Sequence, residues 1–211
     1  MKRSLQSSTI ALLVVFQLPI VGWLVPGKSF GALLAGEGVF WAMTAVVLLY
    51  VAFVERRPLS SIGLRKPSWK SLAWGLPAAA VSVGGAVAFY TVIFPRFGVS
   101  FGNAAAGLSA VQSTPAWFQL LLITRAAVFE EIFYRGFAIE RLSEITKSRG
   151  LAAVVSLAAF TYAHLGYWGW AALVVVAFQG AVLTGVYVLR RDLATTMIAH
   201  FASDAAAFLL L

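Results

Sequence analysis

The chain has 211 residues, of which 61% are hydrophobic and only 11% charged, with a formal net charge of +8 and no cysteine. Soluble domains carry roughly 25% charged residues, so this composition excludes a water-facing globule and points to a protein whose surface meets lipid tails. The lack of cysteine also excludes a disulfide framework, thiolate metal sites and a cysteine nucleophile.

In chain order, apolar stretches of about 20 residues, enough to cross roughly 30 Å of hydrocarbon as a helix, occur at about 8–25, 32–54, 72–94, 117–139, 150–166, 169–189 and 193–211. The expected fold is all-α, a polytopic transmembrane helical bundle of about seven spans forming one membrane domain over 1–211. The first stretch follows Met1, Lys2 and Arg3 as a signal peptide would, but it is long and ends in Val25-Pro26-Gly27 with no A-x-A site, which favours an uncleaved span. The connection 55–71 reads as a short loop. The connection 95–116, rich in Gly, Ala and Ser, reads either as a flexible outer loop or as a partly re-entrant flap.

Twelve of the sixteen Lys and Arg fall at the amino terminus and in alternate connections: Lys2 and Arg3; Arg56, Arg57, Arg65, Lys66 and Lys70; Arg141, Lys147 and Arg149; Arg190 and Arg191. Such residues are retained on the cytoplasmic side of short loops, which predicts a multi-pass cell-membrane protein with a cytoplasmic amino terminus. Spread over juxtamembrane loops, the positive charge serves topology and contact with the anionic bilayer surface, and nucleic acid is not an expected partner.

Ionisable side chains at hydrocarbon depth are costly unless they are paired or line a wet cavity. Here they are Glu37, Arg125, Glu130, Glu131, Arg135, His164, His200 and Asp204, and all but Glu37 lie in the last four spans. Both histidines of the chain are among them. Residues four apart share a helix face, so Glu131 can pair with Arg135, Asp204 can orient His200, and Phe160 lies one turn from His164. Glu130 sits about 100° around the helix from Glu131 and need not do the same work. Glu37 reads as an outer-interface residue, and Arg125 carries no assigned role.

A carboxylate and two histidines from separate helices, enclosed in lipid, suit the activation of water. Glu130 could take the proton from a water attacking a peptide carbonyl. His164 could hold that water or pass the proton to the leaving amine, and His200 could donate to the oxyanion. The same Glu130, His164 and His200 could instead bind zinc with water in the fourth position; there is no H-E-x-x-H, and a required cofactor is not expected.

The residues coincide with a known pattern. Glu130-Glu131-Ile132-Phe133-Tyr134-Arg135 resembles the E-E-x-x-x-R motif of the CPBP family of CAAX proteases and bacteriocin-processing enzymes, also called the Abi family. Phe160 to His164 resembles its F-x-x-x-H motif, and His200 to Asp204 its H-x-x-x-N or H-x-x-x-D motif. The resemblance covers about 117–211. It implies an intramembrane endopeptidase in which the first glutamate and first histidine activate water, while the later histidine and its partner stabilise the oxyanion. Prenyl-protein proteases carry Asn where Asp204 stands, and an ionised carboxylate would repel an oxyanion, so Asp204 is expected either to be protonated or to serve only to orient His200.

The expected substrate is a membrane-associated peptide or protein, lipidated in the prenyl-protein case, reaching the site from the cytoplasmic side or laterally from the bilayer. A non-catalytic scaffold or immunity factor and a proton-coupled transporter are the alternatives from other classes. The chain lacks the paired repeats usual in transporters.

Overall fold

The computed structural model describes residues 30–99 and 102–210, so the expected span at 8–25 lies outside the described residues. Helix α1 (Phe30–Leu49) ends in a π-helical turn, Tyr50–Val54, and a 3-10 turn at Leu59–Ile62 leads to α2 (Trp69–Ala88), extended by Phe89–Ile93 and Phe94–Arg96. Helix α3 is Gly102–Gln112. Helix α4 (Ala116–Glu130) passes without a break through a π-helical stretch, Glu131–Ile139, into α5 (Glu140–Thr146). Then follow α6 (Arg149–Ala163), α7 (Leu165–Arg190) and α8 (Leu193–Ala205), the last extended by Ala206–Leu210. No strand occurs among the described residues.

Each expected span within the described residues coincides with one of these helical runs. By length and composition, Phe30–Val54, Trp69–Arg96 and Leu165–Arg190 can each cross a membrane, while Arg149–Ala163 and Leu193–Leu209 are apolar but shorter. The run 116–146 is long enough, yet it carries the charges at positions 125, 130, 131 and 135. Helix α3 occupies the connection that composition left between a loop and a flap. It packs against α7, where the Tyr167 hydroxyl lies 3.3 Å from the Gly107 carbonyl oxygen.

The run 116–146 is the centre of the protein. Phe129, Ile132, Phe133, Tyr134, Phe137, Ala138, Ile139 and Leu142 are buried there, together with Val51, Phe160, Tyr187 and Leu193 from the surrounding helices. The outward faces are apolar instead: Phe53 is 72% exposed and Leu189 74%, as expected where lipid replaces water. Helix pairs in lipid are drawn together by close packing of small residues. Gly75, Ala78 and Ser82 on α2 are buried where it meets α8, and a Cβ on Gly75 would lie 2.9 Å from the Thr195 carbonyl oxygen.

One end of the bundle is tied by charge. Arg141, fully buried, donates to both Glu55 carboxylate oxygens and lies 3.3 Å from the Ser61 hydroxyl. Glu140 pairs with Arg149 at 2.7 Å and with Arg191, and its Oε1 is 3.1 Å from the Tyr187 hydroxyl. That hydroxyl is also 3.1 Å from the Ile62 carbonyl oxygen. Several of the basic residues read as topology signals therefore also clamp the 3-10 turn and the helix ends together.

Gly136 sits where this clamp meets the central helix. A Cβ there would approach the Ile62 carbonyl oxygen to 2.8 Å and Leu193 Cδ1 to 2.9 Å. Backbone cannot swing aside as a side chain can, so Gly136→Ala is expected to destabilise the fold by about 1–3 kcal/mol, the usual cost of overpacking. Thermal denaturation in detergent micelles reads this directly; an unchanged midpoint would contradict the close approach.

Candidate active site

Glu130 is the last residue of α4, and Glu131 opens the π-helical stretch. Such wider winding occurs frequently at functional sites, and all nine residues of this stretch are buried. The expected i,i+4 pair forms: Arg135 Nη1 donates to Glu131 Oε1 at 2.8 Å, with Glu131 0% and Arg135 1% exposed. The guanidinium also donates to the Gly180 carbonyl oxygen of α7 at 3.2 Å and lies 4.2 Å from the centre of the Phe160 ring. A Cβ on Gly180 would come within 2.9 Å of that ring, so glycine there lets α7 close over the pair.

His164 caps the end of α6, and α7 begins immediately after it. Its Nδ1 lies 2.7 Å from the Phe160 carbonyl oxygen, which can only accept, so Nδ1 carries the hydrogen and Nε2 is the open nitrogen. The Phe160 ring lies 4.5 Å from the imidazole, centre to centre. Just beyond, the chain turns at Gly169, where φ is +74°. That left-handed conformation suits glycine, and it separates the two stretches that the sequence predicts as distinct spans.

His200 comes from α8. Its Nδ1 lies 2.9 Å from Glu131 Oε1, so Glu131 accepts from both Arg135 and His200. Its Nε2 is 3.5 Å from Asp204 Oδ2, placing the expected partner beside the ring. The Nε2 atoms of the two histidines also converge. His164 Nε2 is 3.7 Å and His200 Nε2 3.9 Å from the same atom, Glu130 Oε2.

These distances are too long for direct hydrogen bonds, and Glu130 Oε2 is buried with no hydrogen-bond partner in the protein. A carboxylate oxygen at that spacing from two imidazole nitrogens can share one small polar molecule with both. Donor atoms around tetrahedral zinc, with bonds of about 2.0–2.1 Å, lie closer together than this. Among the described residues no group of three or more His, Asp or Glu side chains is arranged to hold a metal ion.

All the motif residues are brought to one place, Phe160 and Arg135 as packing and pairing partners, Glu130, His164 and His200 as the converging groups. Two residues outside that set join them. Glu37, read as an interfacial residue, is buried and pairs with Arg125 at 3.1 Å, and Arg125 Nη1 is 3.7 Å from Glu130 Oε1. Sequence reading missed this link because five residues apart is not a helix-face spacing and because Glu37 comes from a distant helix. The one available signal was that both are charges within apolar stretches.

Two carboxylates and two histidines are thus gathered in the interior of a helical membrane protein, where ionisable groups mark a candidate functional site. Residues 112–206 match the family model described as type II CAAX prenyl endopeptidase, Rce1-like. This segment, a little under half of the chain, holds all three motifs and is similar to that CAAX protease family. No curated protein and no solved structure matches the chain.

Proposed function

We propose that the protein is an intramembrane endopeptidase that hydrolyses a peptide bond of a membrane-associated peptide or protein with a water activated by Glu130. The observation that carries this reading is the convergence of His164 Nε2 and His200 Nε2 on the unpartnered Glu130 Oε2. The family match supports endopeptidase chemistry in general.

A water at that point donates one hydrogen to His164 Nε2 and the other to Glu130 Oε2, which leaves a lone pair for the scissile carbonyl carbon. Glu130 takes the proton as the C–O bond forms, then passes it to the nitrogen as the C–N bond breaks. With a carboxylate beside each ring nitrogen, His200 can keep both its protons, and Nε2–H is the donor to the developing oxyanion. Glu131, fixed by Arg135, holds the His200 ring in place. Asp204 orients the ring from its other edge. The chain crosses the cell membrane several times with its amino terminus in the cytoplasm, and the substrate enters from the cytoplasmic side or laterally from the bilayer.

Peptide ends in membranes from cells carrying wild type or Glu130→Gln, each with and without a chelator, test the reading. New ends are expected with the wild type alone, and the chelator is expected to leave them. Identical ends with both forms would favour a scaffold or a proton-coupled transporter, and loss of the ends on chelation would call for a metal centre.

Asp204→Asn keeps a polar group beside His200 Nε2 and removes a negative charge near the oxyanion. Its rate of end formation is expected to stay within about tenfold of wild type, the order of one neutral hydrogen bond. Loss as complete as in Glu130→Gln would mean that the carboxylate itself is required.

A further inference from the structure

One more buried charged pair reaches the same carboxylate, and half of it comes from the part of the chain that the three motifs do not cover. The Arg125 and Glu37 side chains are 12% and 6% exposed. Arg125 Nε lies 3.2 Å from both Glu37 carboxylate oxygens, and Nη2 lies 3.1 Å from Oε1, a side-on pairing of fork to carboxylate. The guanidinium lies 4.5 Å from the centre of the Phe40 ring, and Phe40 packs edge-on against Phe129, the neighbour of Glu130, at 4.9 Å. Helix α1 thus holds the arginine by charge and by an aromatic face. Its remaining arm, Nη1, is 3.7 Å from Glu130 Oε1.

The two oxygens of Glu130 are thereby divided. Oε1 faces Arg125 and Oε2 faces the histidines. At 3.7 Å the guanidinium attracts Oε1 without a short hydrogen bond, and inside a protein that attraction is far stronger than in water. Glu37 takes the close position on the arginine, which keeps Arg125 from closing fully onto Glu130 and occupying it.

We propose that Arg125, held by Glu37 and Phe40 of α1, is a positioning residue that turns Glu130 so that Oε2 points at the reacting water. This rests on the reading of Glu130 as the base. It gives α1 a part in the reaction: one arginine is shared between a carboxylate that anchors it and a carboxylate that works. Removing Glu37 alone should also slow the reaction, because the freed arginine then pairs closely with Glu130.

The test uses a membrane protein whose cleaved end is made in cells carrying the wild type and is absent in cells lacking the protein. Turnover per folded molecule and thermal midpoint are measured in the same micelles for Arg125→Met, Glu37→Gln and the double variant. Arg125→Met is expected to lower kcat by on the order of a hundredfold, the loss that follows a small misplacement of a catalytic group, with KM little changed. The double variant removes both charges of the Arg125–Glu37 pair, so its midpoint is expected to return toward wild type while kcat stays low. Wild-type turnover in the double variant, or in Arg125→Met while Glu130→Gln is dead, would overturn the positioning role. Full activity in Glu130→Gln would instead remove the reading of the base itself.

Discussion

Glu130→Gln is expected to lower endopeptidase turnover by about 10³-fold or more while leaving the protein folded and inserted. The magnitude follows from the job. A positioned general base contributes roughly 10²–10⁴-fold, and in the proposed mechanism the same group returns the proton to the leaving amine, so both halves of the reaction would suffer. Glutamine has the same shape and keeps a carbonyl oxygen for Arg125 at the Oε1 position. The atom facing the two histidines is unpartnered within the protein, so no protein hydrogen bond is lost there. Arg125 retains its side-on pair with Glu37. Turnover per inserted molecule and the thermal midpoint should therefore separate: the first collapses and the second barely moves. A variant that loses both together would place Glu130 in the structural network instead.

Arg135→Met is expected to produce the opposite pattern, with stability falling first. The guanidinium is nearly inaccessible; it donates to Glu131 and to the Gly180 carbonyl and covers the Phe160 ring. Removing it leaves the Glu131 carboxylate in the protein interior without its guanidinium partner. Breaking one half of a buried ion pair costs about 3–5 kcal/mol, whereas replacing both partners by apolar groups is often close to neutral. Arg135→Met combined with Glu131→Leu should accordingly recover much of the thermal midpoint lost in Arg135→Met. Activity should not return, because His200 then lacks the acceptor at Nδ1 that sets its orientation. A double variant as unstable as Arg135→Met would show that the contact with Phe160 and Gly180, not charge balance, dominates.

These contrasts also mark what can be read from the chain alone. Long apolar runs located the described helical runs other than α3, since length against bilayer thickness is a one-dimensional property. Contacts within one helix were equally legible: Glu131 with Arg135, His200 beside Asp204, and Phe160 under His164 follow from four-residue spacing. Contacts between helices were not. That His200 reaches Glu131, that Arg135 reaches the Gly180 carbonyl, and that Glu37 meets Arg125 depend on packing angles that no local pattern encodes. Helix α3 escaped because its Gly, Ala and Ser carry no apolar periodicity. The clamp of Arg141 with Glu55 escaped because basic residues near membrane ends are ordinarily counted for topology.

The most direct test of water activation is the origin of the oxygen in the product. Single-turnover cleavage of a dependent substrate, carried out in oxygen-18 water and followed by mass spectrometry, reports which atom attacked the carbonyl. Wild type is predicted to place oxygen-18 in the new carboxyl terminus in the first turnover, and Glu130→Gln to yield no labelled product. A first-turnover product carrying only ordinary oxygen would contradict the account, because it would make an enzyme carboxylate, not water, the group that attacks.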